Sequence, residues 1–341
     1  MLKILALNLT LVLSLKSFAF VALPATSPEP KDNPTTKAKA ELGKVLFFDP
    51  RLSIDGTISC NSCHNLMAGG DDSRPVSVGI KGQRGGRSAP TVWNSGFNTV
   101  QFWDGRAASL EDQAKGPLTN PIEMGMKDHQ MVVDRIKMIP GYVEMFNKAF
   151  GNKDSINIDN YAKAVAAFER TLITHNSPFD KYKKGNKKAM SASAVRGMKL
   201  VDEIGCTSCH TGVNFNGEGQ KMGEGNYQKF PQIPGSKFDK QYDLVSDLGR
   251  YDVTKNADDK NMWRVPTWRN VALTAPYFHN GKVATLDEAV KVMAMTQLGI
   301  ELTADQTNDI VAFLEALTGT FPAMTMPRLP NYEKKTFTPN P

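Results

Sequence analysis

Only four cysteines and five histidines occur in 341 residues. One apolar run, residues 4–15, lies near the N-terminus, and no other segment is apolar enough to cross a membrane, which argues against stable membrane insertion. No convincing stretch alternates apolar and polar residues, so a sheet-based fold is excluded too. Charged residues make up 22% and hydrophobic ones 40%, the balance of a soluble globular chain long enough for two domains. The run 4–15 is short for a bilayer span. With Lys3 before it and Ser17-Phe18-Ala19 after it, it reads as a secretory signal over residues 1–19, although Lys16 interrupts it. An uncleaved anchor is the alternative.

All four cysteines stand in two copies of one pattern, Cys60-Asn61-Ser62-Cys63-His64 and Cys206-Thr207-Ser208-Cys209-His210. Two thiols three positions apart, followed at once by an imidazole, form the c-type haem attachment pattern. Each cysteine can form a thioether with one vinyl group, and the histidine is then held under the ring as the proximal iron ligand. The competing readings are a four-thiolate zinc site and a pair of redox disulfides. Neither explains a histidine after both second cysteines. Export fits, because c-type haem is attached outside the bacterial cytoplasm, and the periplasm is the expected location. Two haems would add four propionates, and Lys3 and Lys16 would leave with the signal. The formal charge of +6 therefore carries no nucleic-acid inference.

The two halves repeat one plan of helix, haem motif, long loop and closing helix. A proline-, serine- and lysine-rich arm over 23–37 leads to an expected helix over 38–48, with Leu42, Val45 and Leu46 on one face. Residues 67–91 hold eight glycines and prolines and read as a long loop over the first haem. Ser109 is placed to start a short helix, and others are expected over 130–138 and 142–150. Over 158–173, Tyr161, Val165, Phe168 and Leu172 make an amphipathic stripe. Residues 176–187 read as a linker. A helix over 197–203 then precedes the second motif, and 211–262 read mostly as loop. Thr285-Leu286-Asp287-Glu288 and Thr303-Ala304-Asp305-Gln306 are candidate capping boxes for two last helices, the first running to about Met295. The expected fold is mainly α, with two c-type cytochrome domains packed around the haems. The expected limits are 20–178 for the first domain, 179–325 for the second and 326–341 for a tail.

One histidine per haem leaves a sixth iron position open to assignment. A thioether there raises the potential, whereas an open position admits a small oxidant. Met293 and Met295 are the candidates in the second half, with core packing as the alternative for each.

The chain resembles the bacterial di-haem cytochrome c peroxidases along nearly all of its length after the leader. The resemblance rests on Leu42-Gly43-Lys44-Val45-Leu46-Phe47-Phe48-Asp49, the two haem motifs, Ala89-Pro90-Thr91-Val92, Gln101-Phe102-Trp103-Asp104-Gly105-Arg106, Arg264-Val265-Pro266-Thr267, and the stretch from Leu273-Thr274-Ala275-Pro276 through Tyr277-Phe278-His279-Asn280-Gly281. It implies that the N-terminal haem reduces hydrogen peroxide. The C-terminal haem would receive electrons from a mono-haem cytochrome c or a small copper protein. Two electrons are needed per peroxide, and two one-electron centres can supply them. The family is usually dimeric, so a homodimer is implied.

Carried over residue by residue, the resemblance makes Met293, fourteen places after His279, the cap of the electron-receiving haem. Trp103 becomes the tryptophan between the haems, with core packing as the plain alternative. Gln113 and Glu123 become the polar pair over the peroxidatic iron. There a carboxylate can move a proton between the peroxide oxygens, although a surface glutamate is the reading from spacing alone. A calcium ion is implied at the carbonyls of Thr274 and Pro276, with Ser88 in place of the family's asparagine, a weaker ligand.

The main departure is Ile80. Many relatives have a histidine sixteen places after the proximal one, which caps the peroxidatic haem in the oxidised state. Here the stretch is Ser77-Val78-Gly79-Ile80, and isoleucine cannot ligate iron. The expectation is an open peroxidatic haem at rest, with Lys81 or Met67 as possible substitutes. His129 and His175 are expected at the surface. His279 is expected to bond beside the second haem or to pack there. Arg106 and Arg264 are expected either to pair with propionates or to be solvated. Two other readings are a di-haem electron carrier and a relative that oxidises side chains of a partner protein. Relatives of the latter kind have tyrosine where Met293 stands.

Overall fold

The computed structural model describes residues 20–332 except 152, 153 and 218. The signal segment and residues 333–341 of the tail lie outside the described residues. In chain order the helices are α1 (Lys37–Phe48), α2 (Cys60–Cys63), α3 (Leu110–Thr119), α4 (His129–Lys137), α5 (Pro140–Phe150), α6 (Ile158–Glu169) and α7 (Pro178–Lys183). They continue with α8 (Ala192–Glu203), α9 (Lys237–Gln241), α10 (Tyr251–Thr254), α11 (Leu286–Met293) and α12 (Ala304–Glu315). The fold is mainly α, as the periodicity implied. A small antiparallel ribbon was not foreseen: β1 (Tyr227–Lys229) pairs with β2 (Met262–Arg264), Gln228 opposite Trp263. Three residues per strand are too few to show a period.

In the first half α1 lies along α6, and in the second α8 lies along α12. Each crossing has a glycine where the backbones meet. A methyl on Gly43 would strike the carbonyl of Ala164, and one on Gly197 would strike that of Asp309. The echo between the two haem-leading helices is thus a packing requirement. Leu42, Leu46, Phe47, Tyr142, Phe146 and Tyr161 anchor the first core, and Phe179, Phe215, Ile310 and Phe313 anchor another.

Several local expectations need correction. α6 ends at Glu169, and Leu172 is buried beyond it in an irregular segment. The expected linker 176–187 contains α7, started by a capping box from Ser177 to Asp180, and buries Phe179 and Asp180 completely. α8 begins five residues before Gly197, at Ala192, because Ser191 accepts from the Ala194 N–H. Thr285 makes no capping bond at the start of α11, whereas Thr303 and Gln306 do form their box. α11 ends at Met293 and passes into a π-turn over Ala294–Leu298.

The chain ends cross over. Phe20 packs with Phe179, Phe215 and Phe313 of the second half, and the Leu23 N–H donates to Asp180. Conversely, Phe321 sets its edge on Trp93 of the first half at 4.8 Å. Each end of the described residues therefore fastens the opposite half. Among the described residues no helix is long and apolar enough to cross a membrane.

Candidate haem sites

Two cavities, of about 360 and 440 Å³, hold the two motifs, within the size range of cofactor pockets. Cys60, Cys63 and His64 line the first; Cys206, Cys209 and His210 line the second. All four thiols are unpaired and lie two to a cavity, so neither the four-thiolate zinc site nor a disulfide pair is built. Burial pushes the Cys60 thiol up to about 12 and those of Cys63 and Cys206 to about 11. Such thiols resist becoming the thiolates that a metal or a redox exchange requires. Among the described residues, no three His, Cys, Asp or Glu side chains gather to hold a metal ion.

The motif histidines share one arrangement. His64 Nδ1 lies 3.0 Å from the Pro90 carbonyl, and His210 Nδ1 lies 2.9 Å from that of Phe215. A carbonyl accepts only, so Nδ1 carries the proton and Nε2 keeps its lone pair. Burial lowers both imidazole pKa values, that of His210 to about 4, and keeps them neutral. Trp268 stacks on His210 at 4.3 Å. Two buried donors lining the second cavity, Trp263 and His279, leave Nε1 and Nε2 without a protein partner. They are the donors a carboxylate-bearing guest such as haem would satisfy. The residues present fit a porphyrin in each cavity.

The cavities differ in their remaining chemistry. Glu123, Gln113 and Arg106 line the first. Desolvation holds the Glu123 pKa above its ordinary value, with Arg106 pulling the other way. Asn120 Nδ2 donates to Glu123 Oε1 at 2.8 Å. The second cavity is lined by Met293 and by no carboxylate; Met295 is outside its wall. Ser88, Ala89, Pro90, Thr91 and Trp103 line both cavities, so this short stretch and one indole form the partition.

Ile80 is buried, and its Cδ1 packs on Gly125, while its N–H bonds the Glu123 carbonyl at 3.0 Å. It does not line the first cavity. Neither do the proposed substitutes: Met67 is 79% exposed, and Lys81 is also exposed. Met124 does line it, and sequence reasoning passed it over. So it did Glu169, a carboxyl buried in the same wall and pushed to about 8 by desolvation. A glutamate inside an otherwise apolar helix stripe was the available signal.

The remaining expectations divide. His129 is half-buried, with Nε2 3.1 Å from the Lys115 carbonyl, and the half-buried His175 has a buried, unpaired Nδ1. Neither is a plain surface residue, because α3 and the chain's C-terminal segment cover them. His279 is buried and stacks on Trp263 at 4.1 Å. Arg264 is buried and donates to the Phe102 carbonyl at 3.1 Å, which removes the solvated reading. Arg106 is exposed and pairs with Asp104 at 3.0 Å. Ser88, Thr274 and Pro276 do share one wall. They bring only neutral oxygens, two backbone carbonyls and the short Ser88 hydroxyl. That set fits a hard divalent cation poorly.

Two motif-lined cavities with a shared partition, in a mainly helical chain, define a di-haem c-type protein. Residues 37–188 match the family described as di-haem cytochrome c peroxidase. The chain is 44% identical to cytochrome c551 peroxidase of Pseudomonas aeruginosa, over 92% of its own length and 88% of that protein's. It is 45% identical to the cytochrome c551 peroxidase of Nitrosomonas europaea, over 90% and 86%. A solved MauG-like protein associated with microbial copper homeostasis superposes with a TM-score of 0.76 at 29% identity, covering 90% of this chain and 95% of that one. The chain belongs to the di-haem cytochrome c peroxidase family. It is therefore an oxidoreductase of the peroxidase class with two c-type haems.

Proposed function

We propose that the protein reduces hydrogen peroxide to water in the first cavity, using electrons received at the second from a mono-haem cytochrome c or a small copper protein. The observation that carries this division of labour is the asymmetry of the linings: two carboxyls, Glu123 and Glu169, in the first and none in the second, where Met293 stands. The family relation to cytochrome c peroxidases supports the reaction class.

In this reading Cys60 and Cys63 would tether one haem and Cys206 and Cys209 the other, with His64 and His210 as iron ligands and Met293 as a further ligand at the second site. The bound haems supply one-electron redox chemistry at each iron. Glu123 Oε1 is held by Asn120, which leaves Oε2 to take a proton from one peroxide oxygen and return it to the other. Gln113 orients the peroxide through its amide. Trp103, in the partition, carries the electron path between the sites. Calcium at Ser88, Thr274 and Pro276 would rest on neutral oxygens and bind weakly. The periplasm follows from the signal reading and from the chemistry of haem attachment, and the homodimer follows from the family resemblance.

Steady-state peroxide consumption with reduced cytochrome c or reduced copper protein tests the proposal. Turnover with either donor is expected. Both haems attached and reducible but no peroxide consumed would leave an electron carrier instead.

A further inference from the structure

A third, outer cavity of about 360 Å³ adjoins the first. The two share Phe102, Arg106, Pro117, Asn120 and Glu123 in their walls. Glu123 is thus reached from both sides. The outer cavity contains none of Cys60, Cys63 or His64, so it lies to the side of the attachment motif. Its outer rim is formed by Asp112 and Gly116, both on the exposed face of α3.

The walls are held in place. The Arg106 guanidinium lies 3.5 Å from the centre of the Phe102 ring and pairs with buried Asp104. Asn120 Oδ1 accepts from the Ile122 N–H at 3.0 Å, which fixes the amide so that Nδ2 faces Glu123. A passage with donors and acceptors along apolar walls suits a small, neutral, polar molecule. We infer that this opening between α3 and the Phe102–Arg106 pair is the entrance by which peroxide reaches the first haem site, with Glu123 at its inner end. The inference rests on the reading that peroxide is consumed in the first cavity.

A Cβ at Gly116 would sit 3.7 Å from Phe102 Cζ, so a larger side chain there narrows the opening without touching the haem motif. The test uses the holoenzyme with Gly116→Leu and, as a second variant at the rim, Asp112→Phe. Cyanide binding is followed by the Soret shift, which does not depend on turnover. The expected result is association and dissociation rates both lowered, about tenfold for G116L and about threefold for D112F, equivalent to ~1.4 and ~0.7 kcal/mol. Affinity stays unchanged, and kcat/KM for hydrogen peroxide falls by the same factors. Unchanged rates in both variants would overturn the entrance. So would a slower rate matched by lost affinity, since that locates the effect at the binding position. If cyanide is slowed while wild-type protein consumes no peroxide, the entrance stands and the peroxidase reading fails.

Discussion

The indole Nε1 of Trp103 donates to the carbonyl of Ser88 at 2.9 Å, inside the partition between the two cavities. The Ser88 N–H in turn donates to the His279 carbonyl at 2.7 Å. One hydrogen-bonded chain therefore ties the indole to the loop over the first site and to the backbone of His279 at the second. Trp103→Phe removes the bond and the larger π system. Stopped-flow mixing of the fully reduced enzyme with peroxide is expected to show the second haem reoxidised about tenfold more slowly, equivalent to ~1.4 kcal/mol in barrier. An unchanged rate would assign Trp103 to packing alone.

Glu123→Gln keeps the shape of the wall and the Asn120 contact but cannot take a proton. Turnover is expected to fall by about 10²–10⁴, with the Soret spectrum and both thioether attachments intact. In the wild type the carboxyl must be ionised to act. Its pKa is raised by desolvation, so kcat/KM should fall as the pH drops through a value above the ordinary glutamate pKa of about 4.3. The glutamine variant should lack that acid limb.

Ile80 points at Gly125, and Met67 and Lys81 are exposed. Oxidised protein is therefore expected to give one high-spin and one low-spin haem signal by EPR, and to consume peroxide without prior reduction. Two low-spin signals with no high-spin component would show that another side chain caps the first iron. Met124, in the cavity wall, would then be the residue to replace.

Arg269 and Asp180 form a fully buried ion pair at 2.7 Å, and Asp180 also holds the Leu23 N–H of the N-terminal arm. Asp180→Ala strands the guanidinium without its counter-charge. A loss of ~3–5 kcal/mol is expected, read as a lower denaturant midpoint. A loss below ~1 kcal/mol would mean that water or a neighbouring carbonyl takes over.

Glu169 is buried, and its pKa is raised to about 8. The folded state therefore holds a proton that the unfolded chain releases near 4.3. The stabilisation is complete below that value and is lost as the pH rises through about 8. Glu169→Gln should match wild type in thermal stability at pH 4 and exceed it at pH 9. Equal melting temperatures at both ends would show that the carboxyl has found a partner in the loaded protein.

Much of the fold was legible because its signals are local. Leu42, Val45 and Leu46 recur at helical spacing, Ser109 caps α3 through the Asp112 N–H, and Thr303 caps α12. The linker reading over 176–187 failed because a proline-, lysine- and glycine-rich stretch hides one buried phenylalanine and one buried aspartate whose partners are Leu23 and Arg269. The Thr285 box failed for a different reason. The residue types were right, but the side chain makes no capping bond.

Covalent attachment of two haems was fixed by the order of residues alone, since the spacing of two thiols and an imidazole within five positions is a property of the chain and not of its surroundings. Helical character was fixed in the same way, by periodicity within a few turns. Which methionine meets the second cavity, where Ile80 points, which nitrogen of each motif histidine is left bare and which carboxyl is driven out of water were decided only by tertiary packing. Those outcomes depend on backbone carbonyls and apolar side chains brought together from distant segments. The direction of a lone pair and the cost of desolvating a charge are set by such neighbours.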